Sequence, residues 1–86
     1  MKFPLCEVEW VDAMSFGSEY AHLNDAQKLS GVPAQTVGYL IKQDKESVRL
    51  CMTYFGETEA SEESFKFLWA IPRRCIKSIR VILEKD

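Results

Sequence analysis

The sequence predicts a small, mainly β fold with one short helix, built either as a curled five-stranded antiparallel sheet or as a small barrel. Runs of β-branched and aromatic residues recur along the chain, with polar residues at alternating positions. Short polar or proline-containing segments separate these runs and predict the turns between strands. At 86 residues the chain is expected to form one domain, residues 1–86, whose thin core favours association with a second subunit.

The first strand is predicted over residues 5–11, because glutamates alternate there with Cys6, Val8 and Trp10. An aromatic loop is expected to follow. Asn24 or Asp25 is then predicted to cap a short helix that ends at Leu29. Gly31 is expected as the C-cap residue of this helix, and the apolar face of the helix is expected to lie over a sheet or over the open end of a barrel.

A β-hairpin is predicted over residues 36–55, with a polar turn at residues 44–46. Gly38 is expected at a bend or bulge of its first strand. Alternation predicts two matching faces across the hairpin, formed by Val37, Tyr39 and Ile41 on one strand and by Val48, Leu50, Met52 and Tyr54 on the other.

The last third of the chain is predicted to form an acidic loop, a strand, a tight turn and a final strand. The loop covers residues 56–64 and the first of these strands covers residues 65–71. Pro72 interrupts strand hydrogen bonding and begins a single helical turn, after which residues 77–83 extend again. The side chains expected on inner faces are Phe65, Phe67, Trp69 and Ile71 of one strand and Ile79, Val81 and Leu83 of the other.

Charge and cysteine content limit the classes of function. The net charge of -2 argues against a general nucleic-acid binder, because affinity for phosphates usually comes with an excess of Lys and Arg. Three cysteines cannot all pair within one chain and none has Cys-x-x-Cys spacing, which favours free thiols in a reducing cytosol. The sequence is expected to carry no signal peptide and no membrane span.

Three pieces of the chain, taken in order, carry a resemblance to a known family. They are Val8-Glu9-Trp10-Val11-Asp12-Ala13, Val37-Gly38-Tyr39-Leu40-Ile41 and Ile71-Pro72-Arg73-Arg74-Cys75-Ile76-Lys77-Ser78-Ile79. Together they resemble a family of small proteins encoded by bacteriophages and prophages, many of which have a Gly-Trp pair where this chain has Phe16-Gly17-Ser18. The resemblance implies a phage accessory protein in the bacterial cytoplasm, and it brings no catalytic residues.

The hairpin, the next strand and the tight turn also look like an Sm-like small barrel. In that fold a short helix precedes the sheet, and subunits join edge to edge into rings. This likeness concerns the fold alone and is a poor guide to function.

The strongest candidate binding residues are Arg73 and Arg74, which lie close in sequence to Lys77 and Arg80. Guanidinium groups in a tight turn are suited to grip a phosphate, a nucleotide or an acidic protein surface. The alternative is a solvated basic edge that discourages strand aggregation. As a third possibility, the acidic loop neutralises these basic residues, either within one chain or across a subunit boundary.

Two aromatic sites complete the set of candidates. Trp10 is predicted either to stack on a planar ligand or to pack in the core. Asp12 is predicted either to accept a hydrogen bond from that ligand or to bond backbone N–H groups in a turn. Phe16 and Tyr20, with His22 nearby, are predicted to line a pocket or a partner-facing patch, or else to pin their own loop.

The sequence contains no recognisable catalytic constellation. His22 is the only histidine, which leaves no histidine-rich metal site, and no cofactor motif is present. We therefore expect a non-enzymatic, homo-oligomeric phage protein that blocks a bacterial target or sequesters a small anionic ligand such as a nucleotide, with counter-defence as one such role. The alternative is an Sm-like nucleic-acid-binding barrel, whose binding would weaken steeply with salt.

Overall fold

The structure is a computed structural model that describes residues 2–13, 20 and 22–86. Its elements are β1 (Leu5–Asp12), α1 (Leu23–Lys28), β2 (Val32–Gln43), β3 (Ser47–Phe55), β4 (Ser64–Pro72), a 3₁₀ turn (Arg73–Cys75) and β5 (Ile76–Leu83). The strands form one antiparallel sheet in the order β4-β3-β2-β1-β5. The mainly β prediction is confirmed, but the sheet is not closed into a barrel, so β4 and β5 are its two edges.

The main apolar core of the sheet lies close to the 3₁₀ turn. Its four central side chains share near-complete burial and come from β1, β3 and β4; they are Val8, Val48, Leu50 and Ile71. The partly buried side chains packed against them are Trp10, Leu40, Ile76 and Ile79. Because β4 and β5 are opposite edges of the sheet, their joint contribution to one core means that the sheet is strongly curled.

The predicted matching of hairpin faces is wrong. Leu50 lies opposite Leu40, whereas Tyr39 lies opposite Cys51. The register shifts between Leu40 and Lys42, which leaves one extra residue in β2. Such a shift exchanges the faces of a strand, because side chains alternate with a period of two.

Gly38 marks a close backbone approach, and the register shift falls after it. A Cβ atom at this position would lie 2.7 Å from the carbonyl oxygen of Cys51, so no larger side chain fits without displacement of β3. Gly31 is likewise confined, because a Cβ there would overlap the side chain of Val11. It is not the helix C-cap; that position is Leu29.

The inward faces predicted for β4 and β5 are confirmed only in part, near the 3₁₀ turn and at Phe65, which is half-buried against Phe3 and Tyr54. Ile71 is buried and Ile79 packs against the core. Val81 and Leu83 are exposed, as are Phe67 and Trp69. Helix α1 is also exposed and has no buried residue, so it does not cover the sheet as its apolar face predicted.

Candidate functional site

Arg73 is committed to the scaffold. Its backbone N–H donates to the carbonyl of Glu46 at 2.9 Å, and its Nε donates to the carbonyl of Asp44 at 2.8 Å. A second guanidinium nitrogen, Nη2, donates to Oε1 of Gln43 at 2.9 Å. These three hydrogen bonds fasten the 3₁₀ turn to the turn between β2 and β3, and they occupy donors that the sequence had suggested for an anionic ligand.

Asp44 stabilises the turn between β2 and β3, to which Arg73 is bonded. Its Oδ1 accepts the backbone N–H groups of Ser47 and Glu46, both at 2.9 Å. These two hydrogen bonds, first that of Ser47 and then that of Glu46, lower the pKa of Asp44. The carboxylate therefore serves the turn and holds the loop to which Arg73 is bonded.

The remaining basic residues do not form one surface. Arg74 is exposed and is not seen to pair with any described residue, whereas Arg80 lies 3.3 Å from Oε2 of Glu7. Lys77 is exposed and lies beside Trp10. The nucleic-acid alternative requires a continuous phosphate-binding surface. Of the four predicted residues, Arg74 and Lys77 are the two that remain for it.

Trp10 packs against the core, which is one of its two predicted roles, and it also lines a cavity. Its stacking on a planar ligand stays a prediction. Its Nε1 donates to Oγ1 of Thr36 at 3.0 Å. Its ring meets Trp69 edge to face, with 6.1 Å between ring centroids. These two contacts fix the orientation of the indole before any ligand arrives.

The cavity beside this indole has a volume of about 300 Å³, and we call it the Trp10 pocket. It is lined by Glu9, Trp10, Pro33, Ala34, Gln35 and Lys77. The lining offers a fixed aromatic group, a carboxylate, an ammonium group and an amide, which suits a small planar ligand with both donors and acceptors. The hairpin was predicted to begin only at residue 36, whereas β2 begins at Val32, so the sequence missed the β2 residues of this pocket. The pairing of Trp10 with Ala34 places them there.

The other predicted loop residues do not join this pocket. Asp12 is exposed at the end of β1, and its Oδ1 accepts the backbone N–H of Ala13 at 2.8 Å, which is the turn role. Tyr20 is fully exposed and His22 is the exposed N-cap residue of α1. Phe16 lies outside the described residues, so its predicted contact with Tyr20 stays a prediction.

A cluster that the sequence did not reveal fixes the end of the acidic loop. Glu63 accepts a hydrogen bond from Tyr54 at 2.7 Å and forms an ion pair with Lys2 at 2.5 Å. The hydrogen bond from Lys2, followed by that from Tyr54, lowers the pKa of Glu63. Phe3 packs edge to face on Tyr54 and on Phe65. This acidic residue is therefore paired with the amino-terminal segment and not with the arginines.

Two exposed apolar strips lie on the edge strands, and we call them the β4 strip and the β5 strip. Phe67, Leu68 and Trp69 form the β4 strip, with exposed fractions of 60%, 64% and 43%. Val81, Ile82 and Leu83 form the β5 strip, at 45%, 44% and 53%. The apolar content of both strips was visible in the sequence, but their exposure was not.

The described residues show no group of three or more His, Cys, Asp or Glu side chains that could hold a metal ion. Cys6 and Cys51 are buried, and burial raises the pKa of both thiols. No helix in the described ranges is long and apolar enough to cross a membrane. The site is thus a small polar pocket on a mainly β sheet; comparison with protein-family models, curated proteins and solved structures finds no match to this chain.

Proposed function

We propose that this chain is a non-enzymatic binding protein that assembles with copies of itself, and that the assembly blocks a bacterial target or sequesters a small anionic ligand. The resemblance to phage proteins supports a role in the bacterial cytoplasm, where countering a host defence is one such task. The observation that carries the proposal is the pair of apolar strips on the two open edges of the sheet.

An open edge strand normally carries features that prevent pairing with another chain, such as charged side chains, prolines or bulges. The β4 strip instead presents three consecutive apolar residues to solvent. Phe67 has a φ of 58°, a left-handed conformation that is strained for a bulky residue. Strain together with apolar exposure is the pattern expected of a surface that a partner covers.

The total exposed area is large for a chain of this mass. The chain exposes 6833 Å², whereas a folded 9.9 kDa monomer exposes about 5,200 Å² by the usual scaling of surface with mass. Helix α1, which has no buried residue, contributes to this excess of roughly 1,600 Å², and so do the two apolar strips.

Each of the two edge strands carries one apolar strip, so each subunit offers one contact surface at each edge of the sheet. If the β4 strip of one subunit covers the β5 strip of the next, every subunit uses both edges and both strips become buried. Such a head-to-tail contact gives a ring when its rotation closes. A two-fold contact between identical edges would leave one strip of every subunit exposed.

The test is the native mass of two single variants and of their mixture. Leu68→Glu places a charge on the β4 strip and Ile82→Glu places one on the β5 strip. Each variant alone should be monomeric, because each retains only one functional edge. An equimolar mixture should form a dimer of the two variants and nothing larger, since the intact β5 strip of one can pair with the intact β4 strip of the other.

Leu23→Glu is the matched control, because Leu23 has an exposure of 72%, similar to the 64% of Leu68, but lies on α1. It should leave the native mass unchanged. A monomeric wild-type protein would contradict the proposed assembly. A mixture of Leu68→Glu and Ile82→Glu that stays monomeric would contradict the head-to-tail contact.

A further inference from the structure

A second cavity, of about 430 Å³, lies over β2, β3 and β4, and we call it the Arg49 groove. It is lined by Ile41, Arg49, Phe65, Leu68, Trp69 and Ala70. Arg49 is the only charged residue of this lining. It lies directly opposite Ala70 in the sheet, and the small alanine side chain leaves room beside the arginine stem.

The guanidinium of Arg49 is only loosely engaged. Its one partner among the described residues is Oδ2 of Asp44 at 3.5 Å, which is longer than the roughly 2.7–2.9 Å of a charge-assisted hydrogen bond. The other oxygen of Asp44 already accepts two backbone N–H groups. Arg49 therefore retains donors that a second anion can accept, including the paired donors that suit a carboxylate, sulfonate or phosphate.

The local charge also favours an anion. Lys42 lies opposite Arg49 in the register of β2 and β3, so two cations face the single carboxylate of Asp44. The adjoining turn adds Lys45 and Glu46, whose charges cancel. The charged end of the groove therefore carries a net positive charge, and the rest of the groove is apolar.

We infer that the Arg49 groove binds a small amphipathic anion, with its apolar body on Ile41 and Ala70, two lining residues close to Arg49 that lie outside the β4 strip, and a single anionic group on Arg49. The inference rests on the binding role proposed above but not on the assembly. It differs from the Trp10 pocket, whose lining offers both charges. It assigns ligand recognition to an arginine outside the predicted pair Arg73 and Arg74.

The test compares two fluorescent probes that share an anilinonaphthalene body. 8-Anilinonaphthalene-1-sulfonate carries one sulfonate, whereas N-phenyl-1-naphthylamine is uncharged. Titration of the wild-type protein should show one tight site per chain for the sulfonate. Arg49→Met should weaken that site roughly tenfold and leave the uncharged probe unaffected, because the variant removes one charge-assisted contact and keeps the apolar walls.

Arg80→Met is the matched control, since it removes an exposed arginine from β5 on the opposite edge of the sheet. It should not change the affinity for either probe. Arg49→Lys keeps the charge and should restore part of the lost affinity. Urea unfolding of all three variants checks that the sheet is intact, since the surface pair of Arg49 with Asp44 should contribute little to stability.

Equal effects of Arg49→Met and Arg80→Met would overturn the inference, as would equal losses for the charged and uncharged probes. Sulfonate binding by the monomeric Ile82→Glu variant but not by the assembled wild-type protein would mean that a second copy fills the groove, and would also overturn it. A monomeric wild-type protein that still shows Arg49-dependent binding would overturn the assembly alone. The two proposals therefore fail separately.

Discussion

Two positions in β4, four residues apart, differ in both burial and backbone conformation. At the carboxyl-terminal end, Ile71 is 1% exposed and belongs to the core. Four residues earlier, Phe67 is 60% exposed and has a left-handed backbone conformation. The comparison teaches that a single strand of this sheet serves as core near its carboxyl-terminal end and as open surface in its middle.

The 3₁₀ turn explains the difference. It links the two edge strands directly, and Arg73 fastens it to the turn between β2 and β3. Side chains close to this junction converge on one core, whereas Phe67 and Leu68 of β4 and Val81 to Leu83 of β5 are exposed. We expect the junction to determine whether the chain folds and the strips to determine what it associates with.

The largest effect should come from the core end of β4. Ile71→Ala should lower the free energy of unfolding by about 3 kcal/mol, because it removes buried methyl groups and leaves a cavity. The matched change Ile82→Ala, at a residue 44% exposed, should cost less than about 1 kcal/mol. Urea denaturation of both variants measures the difference, and Ile71→Val, at about 1 kcal/mol, keeps the test informative if the alanine variant does not fold. Equal losses would mean that the strip is as important to folding as the core.

The next effect separates two neighbouring arginines. Arg73→Met should lower the free energy of unfolding by about 1–2 kcal/mol, since two side-chain hydrogen bonds to the hairpin turn are lost. Arg74→Met should change it by less than about 0.5 kcal/mol. Thermal or urea unfolding provides the measurement. If Arg74→Met proves the more damaging, the assignment of Arg73 to the scaffold is incorrect.

Relief of backbone strain at Phe67 should change the free energy of unfolding by a smaller amount, and should raise it. Phe67→Gly should raise the stability of the isolated chain by up to about 1 kcal/mol, because glycine adopts positive φ without steric penalty. Phe55→Gly is the control at a residue of similar exposure without positive φ, and it should be destabilising. Unfolding is measured in the Leu68→Glu background, so that assembly does not contribute. A loss of stability in Phe67→Gly would show that the phenyl ring packs more than it strains.

The smallest effect concerns pH and the Lys2, Tyr54 and Glu63 cluster. Folding lowers the pKa of Glu63, so its contribution is present above the unfolded pKa and is lost as pH falls through the folded pKa. The hydrogen bond with Glu63 is the main cause that raises the pKa values of Tyr54 and Lys2. Their contributions to the free energy of unfolding are therefore lost as the pH rises into the alkaline range. Glu63→Gln should flatten the acid limb of stability measured by urea midpoints, relative to Glu62→Gln. An unchanged acid limb would place the acid sensitivity elsewhere.

Local patterns were sufficient for much of the fold. Strand β3 begins and ends where its β-branched content predicts, and Pro72 precedes a single helical turn as expected. The candidate site was predicted only in part. Trp10 lines a pocket, whereas Arg73 donates hydrogen bonds to the hairpin and is not available to that pocket. Adjacent arginines with the same local propensities have different roles, and only their neighbours in space distinguish them.

The sequence by itself determined the element order, the turn positions and the mainly β class, because alternation, proline and glycine act over a few residues. The tertiary structure decided which faces are buried, because one extra residue after Leu40 exchanges the faces of the hairpin. It also decided that Phe67 and Ile82 are exposed while Ile71 is not. Burial depends on what lies above a side chain, and in this sheet that is set by contacts between strands distant in sequence.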